Sequence, residues 1–83
     1  MDNENGAMKE LVKYIAESMV DSPEEVEVTE IKGQNAVVLE LKVAKADIGK
    51  IIGKQGRNVK AIRDILNAAS AKTKMRTTLE ILE

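Results

Sequence analysis

Two segments of this chain alternate apolar and polar residues as strands do, and everything between them follows helical spacing. The first, "AVVLELKV" over residues 36–43, places Val37, Leu39, Leu41 and Val43 on one face and Val38, Glu40 and Lys42 on the other. The second, "MRTTLEIL" over 75–82, alternates at Thr77, Leu79 and Ile81. In the interval, "ADIGKII" reads as a short helix with Asp47 as its N-cap. Val59, Ile62, Leu66 and Ala69 then recur at i, i+3, i+7 and i+10, which predicts a longer helix from Arg57 to Lys72. A two-helix connection of this length allows the flanking strands to run parallel through a right-handed crossover.

The N-terminal part supplies the remaining elements. Met8, Leu11, Val12, Ile15, Ala16 and Met19 predict an amphipathic helix over 8–20, stopped at "DSP" because Pro23 disfavours helical geometry at Ser22. "EVEVTEI" reads as a strand and "KGQN" as the turn that folds it antiparallel onto the next strand. The order is α-β-β-α-α-β. Its economical packing is a three-stranded mixed sheet covered on one face by three helices, an α+β fold. Residues 1–7 are expected to form a flexible extension and residues 8–83 a single domain.

Composition removes several function classes. The 83 residues contain no cysteine and no histidine, so thiol chemistry, disulfides and the usual zinc ligand sets are excluded. No metal or cofactor is expected. The N-terminus has no signal-peptide pattern, and no apolar run approaches the roughly 18 residues of a membrane span, so a cytoplasmic protein is expected. "GKIIGKQ" is one residue short of a Walker A loop and lacks the Ser or Thr after the lysine. Ser18, Ser22 and Ser70 have no evident activating partner, and the carboxylates of "DSPEEVEV" lack EF-hand spacing. An enzyme is not expected.

The net charge of −1 conceals a segregation. From Met1 to Leu41 three lysines face ten carboxylates, whereas from Lys42 to Arg76 ten bases face Asp47 and Asp64 alone. A basic half of this kind can meet a polyanion. The alternative is a dipolar surface whose two halves pair with each other.

The basic half contains "IIGKQGRNVKAIR", two glycines three apart at the junction of the two helices. Gly53 can end the first helix in a left-handed conformation, and Gly56 precedes the first turn of the second, where unpaired N–H groups and the positive dipole end attract anions. One reading makes the glycines a plain corner. The other gives the composition a reason: glycines let a nucleic-acid backbone approach, Lys54 supplies charge and Gln55 neutral hydrogen bonding. Arg57, Lys60 and Arg63 continue the positive surface along the helix, with Lys50 on the other side of the loop. The two readings are compatible.

"IIGKQGRNVKAI", set between a strand-helix and a helix-strand, resembles the I-G-x-x-G-x-x-I signature of KH domains, with Val59 in the last place. The helix and strand ahead of the β-α-α-β core are similar to the type II, prokaryotic arrangement. Over residues 8–82 the chain looks most like the small bacterial single-KH proteins of the KhpA (YlqC-like) type. The resemblance implies an RNA chaperone or post-transcriptional regulator in which Gly53, Lys54, Gln55 and Gly56 clamp the backbone of about four nucleotides of single-stranded RNA. It also implies a groove with an apolar floor, for which Ile48, Ile51, Ile52 and Val59 are the candidates by position.

The chain has no Phe or Trp, and Tyr14 lies opposite the apolar stripe of its helix. Base stacking on aromatics, worth roughly 1–3 kcal/mol per base, is therefore not at its disposal, and weak, salt-sensitive binding is expected. A second module would compensate by avidity. Ile65, with Ala61 and Ala68 beside it, is either the shoulder of a wide core face or a small apolar patch that docks a second subunit. The resemblance implies a homodimer or a heterodimer with a second KH protein of the KhpB type. The alternative function is a protein-interaction subunit of such a complex, with negligible RNA binding of its own.

Overall fold

Val37, Leu39 and Leu41 point to one side of β2 (Ala36–Lys42) and are fully buried there, as the alternation predicts. They make β2 the central strand. β1 (Glu27–Lys32) lies antiparallel on one side, from Glu27 opposite Lys42 to Lys32 opposite Val37, and the intervening turn is closed by Gly33 N–H donating to the Ala36 carbonyl at 2.7 Å. β3 (Arg76–Ile81) lies parallel on the other side, from Ala36 opposite Arg76 to Leu41 opposite Ile81. The computed structural model describes residues 3–83, with side chains from residue 6 on.

Three helices cover the face that carries these residues. α1 (Asn3–Met19) buries Val12 and Ala16 against β1 and β2. α2 (Ile48–Ile52) contributes Ile51, and α3 (Arg57–Ala69) contributes Val59, Ile62 and Leu66. With Leu39, Leu41 and Leu79 these form one core. Each fully buried Leu or Ile stabilises the fold by about 1.5–3 kcal/mol relative to exposure.

Element boundaries shift where turns intervene. α1 begins at Asn3, inside the segment expected as an extension, and Met1 and Asp2 lie outside the described residues. The first strand starts two residues later than expected, because Pro23–Glu25 forms a 3₁₀ turn closed by Val26 N–H on the Pro23 carbonyl. α3 stops at Ala69, short of Lys72. The Ser70 N–H still bonds the Leu66 carbonyl, but the Thr73 hydroxyl then takes the Ser70 carbonyl at 2.9 Å and turns the chain into β3.

Asp47 corrects a more specific expectation. It occupies the N-cap position of α2 but makes no capping hydrogen bond. The preceding 3₁₀ turn, Lys45–Asp47, leaves it at φ −99°, ψ −6°, whereas a capping side chain requires an extended backbone. Its Oδ2 instead accepts the Ser22 N–H at 3.1 Å, and the residue is only 2% exposed. Asp47 thus ties the α1–β1 connection to the start of α2.

Candidate nucleic-acid interface

The corner between α2 and α3 is built by three residues of positive φ. Gly53 N–H bonds the Gly49 carbonyl at 2.8 Å and ends α2 at φ 77°, ψ 174°. That is not the left-handed helical conformation expected from the sequence. It is an extended backbone of positive φ, essentially restricted to glycine. Residues 54–56 then form a single 3₁₀ turn, closed by Gly56 N–H on the Gly53 carbonyl at 3.1 Å. Within it Gln55 (φ 58°, ψ 25°) and Gly56 (φ 75°, ψ 14°) are the left-handed residues. A non-glycine held there costs roughly 1–2 kcal/mol, which the packed helices on either side sustain.

This geometry lifts Lys54 and Gln55 onto an exposed tip and brings Gly56 directly before the first turn of α3. The first N–H groups of that helix have no intrahelical acceptors, and the dipole end is positive. Lys54 and Arg57 are exposed and have no carboxylate within ion-pair distance among the described residues. Lys50 lies 3.4 Å from Asp21, and Lys60 lies 3.0 Å from Asp64 one turn along α3. Exposed pairs of this kind are worth about 0–1 kcal/mol, so both cations remain available to a stronger anion. Among the described side chains, Lys50–Asp21 is the one ion pair between the acidic and basic halves.

The apolar residues expected to floor a groove separate into two kinds. Ile51 is fully buried and Val59 is 9% exposed, so both belong to the core beneath the loop. Ile48 and Ile52 are half-buried and pack against that core from outside, leaving apolar surface beside the loop. Spacing alone could not separate them, because α2 is short enough for its whole length to touch either the core or its rim.

Arg63 is the main departure. Its Nε and Nη2 both donate to the Leu79 carbonyl, at 3.3 and 3.0 Å, on the edge of β3 that does not pair with β2. It thereby lines a cleft of about 250 Å³ between α3 and β3, with Leu66 and Asn67 from the helix and residues 76–79 from the strand. Lys60, Arg63 and Asn67 stand at i, i+3 and i+7, so one flank of α3 runs from near the loop to this cleft. Asn67 and Arg76 were not among the residues singled out from the sequence. The i, i+3, i+7 spacing of Lys60, Arg63 and Asn67 was the available signal for the first. Asn58, whose Nδ2 donates to the Lys50 carbonyl at 2.9 Å across the corner, was not singled out either, and nothing in its neighbours marks it. On another side of α3, Ala61, Ile65 and Ala68 are exposed at i, i+4 and i+7, with Ile65 46% exposed. Ile65 is not part of the core. Tyr14 is 71% exposed, as expected.

A layer of three helices on a three-stranded mixed sheet, with a Gly-x-x-Gly corner between the second and third helices, defines a KH domain of the type II arrangement. A family model described as KhpA/KhpB, KH domain, matches residues 9–81, and the chain belongs to that family. It is 52% identical to RNA-binding protein KhpA of Clostridium acetobutylicum over 90% of this chain and all of that one. RNA-binding protein KhpA of Chlamydia trachomatis is 50% identical over 92% of this chain and 97% of its own. The KhpA of Borreliella burgdorferi is 46% identical over 96% and 98%. No solved structure is a significant match. No helix among the described residues is long and apolar enough to cross a membrane.

Proposed function

We propose that this protein binds single-stranded RNA by its backbone, with Gly53, Lys54, Gln55 and Gly56 as the clamp and residues 8–83 as the binding module. The observation that carries this is the loop itself. Positive φ at Gly53, Gln55 and Gly56 puts a lysine outside any ion pair and an amide at an exposed tip, directly ahead of the positive N-terminal end of α3. Membership of the KhpA/KhpB family and relatives named RNA-binding protein support the same reading.

The strand then runs along the flank of α3. Arg57 and Lys60 take phosphates next to the loop and Lys50 does so across it. Ile48 and Ile52 offer the apolar rim, with Ile51 and Val59 holding it from below. Arg63 and Asn67 face the bases at the α3–β3 cleft. Binding is weak and carried by the backbone, with about three or four phosphates contacted and log K falling with log salt at a slope of roughly −2 to −3. Ala61, Ile65 and Ala68 dock a second subunit, a copy of this chain or a KH protein of the KhpB type, which adds affinity by linkage. The protein works in the cytoplasm and is not an enzyme.

Fluorescence anisotropy with labelled single-stranded RNA tests the clamp, comparing the wild type with Lys54→Asp/Gln55→Asp while circular dichroism monitors the fold. A loss of about tenfold or more (about 1.4 kcal/mol) is expected. Equal binding by both proteins would move the site elsewhere on the basic half. No binding by either would leave a protein-interaction subunit as the function.

A further inference from the structure

The Lys50 carbonyl stands in the last turn of α2, where a continuing helix would give it the N–H of Lys54. Gly53 turns the chain away with ψ 174°, and the carboxamide of Asn58 donates instead, Nδ2 to O at 2.9 Å. The same side chain covers Gly53. A Cβ placed on Gly53 would meet Asn58 Cγ at 2.5 Å and Nδ2 at 2.7 Å. Asn58 therefore spans the corner from the second residue of α3 to the last turn of α2, with the glycine inside the span.

We infer that Asn58 is the positioning residue of the Gly53–Gly56 loop, holding α2 and α3 at the angle that presents Lys54, Gln55 and the first N–H groups of α3 together. Three neighbouring residues at positive φ form a corner with few local contacts of their own. Backbone hydrogen bonds tie Gly53 to α2 (to the Gly49 carbonyl), close the turn (Gly56 to Gly53) and tie it to α3 (Arg57 to Lys54), but none of these joins α3 directly to α2. Asn58 supplies that link across the corner. It does not need to touch RNA. A ligand that grips the loop then finds it already in shape, which removes an ordering cost from binding. The inference rests on the reading of this loop as the phosphate clamp.

Two variants separate the roles of the side chain. Asn58→Ala removes both the donor and the cover over Gly53, and its helix propensity favours folding. Asn58→Leu keeps apolar bulk over Gly53 without a donor. Backbone ¹⁵N relaxation and RNA anisotropy are measured on both, with Lys54→Asp/Gln55→Asp alongside. In both Asn58 variants the order parameters of Lys54, Gln55 and Gly56 are expected to fall from about 0.85 toward 0.6 while core amides stay rigid. RNA affinity is expected to fall about fivefold, the equivalent of one net hydrogen bond of roughly 1 kcal/mol. A general structural role would loosen the core amides as well, and that result overturns the inference. So does wild-type affinity in Asn58→Leu, which would make the donor irrelevant. If the Asn58 variants bind normally while Lys54→Asp/Gln55→Asp does not, the inference falls and the clamp stands. If no variant changes binding, both fall.

Discussion

Arg63 and Leu79 meet across the α3–β3 cleft, the guanidinium giving two hydrogen bonds, at 3.3 and 3.0 Å, to a single backbone carbonyl. The carbonyl belongs to the edge of β3 that pairs with no strand among the described residues, so a cation of the basic half already closes part of that edge. Edge strands need such cover to avoid pairing with other chains. Arg63→Gln is therefore expected to lower stability by about 1.5–3 kcal/mol, the range for a hydrogen bond that involves a charged group. Lys54→Gln should leave stability unchanged within about 0.5 kcal/mol, as surface substitutions generally do. Urea denaturation of both variants checks the contrast, and equal stability of the two would show that the Arg63 contact contributes nothing.

The two glycines of the corner are not equivalent. Gly53 has φ 77° and ψ 174°, and a Cβ there would overlap the Asn58 side chain at 2.5–2.8 Å. Gly56 has φ 75° and ψ 14° with open space around it. Gly56→Ala is expected to cost about 1–2 kcal/mol, the left-handed penalty alone. Gly53→Ala should cost at least about 1 kcal/mol more, since it adds displacement of Asn58 to a backbone conformation that only glycine reaches easily. Thermal melts of the two alanine variants give the order directly.

Asp47 holds a backbone donor twenty-five positions earlier in the chain. Its Oδ2 accepts the Ser22 N–H at 3.1 Å in a part-buried setting. Asp47→Ala leaves that N–H without its partner and is expected to cost about 1–3 kcal/mol. Asp47→Asn retains an acceptor and should recover part of the loss. The comparison by chemical denaturation is informative because neither change touches the loop, so RNA affinity well below the melting temperature should stay within about twofold of wild type.

Ile65 is 46% exposed, with Ala61 and Ala68 exposed beside it on α3. If this patch docks a second subunit, Ile65→Glu buries a charge at the contact and should shift the protein to monomer. Light scattering after gel filtration reads the mass. Stability of the monomer should change by less than about 0.5 kcal/mol, since the side chain lies outside the core. An unchanged dimer would place the interface on another face.

Periodicity is a local property of the chain, and what it encodes was legible. The alternation at Val37, Leu39 and Leu41 specified the central strand, and the spacing of Val59, Ile62 and Leu66 specified the buried stripe of α3. The pair of glycines marked the corner, because glycine adopts positive φ without the steric penalty that other residues meet. The hydrogen-bond partners were a different matter. Arg63 reaches Leu79, sixteen residues away, Asp47 reaches Ser22, and Asn58 reaches back over Gly53 to Lys50. Such contacts depend on which backbone groups the packed elements leave unpaired, and nothing in the neighbouring residues records that. Ile48 and Ile51 illustrate the same limit. Their side chains have equal apolar character and stand three residues apart on one short helix, yet one is half-buried and the other lies in the core. Hydrophobicity along the chain determined that this helix is partly buried. Only the angle at which α2 meets α3 and the sheet decided which isoleucine is enclosed, because that angle is set by contacts made after the elements have formed.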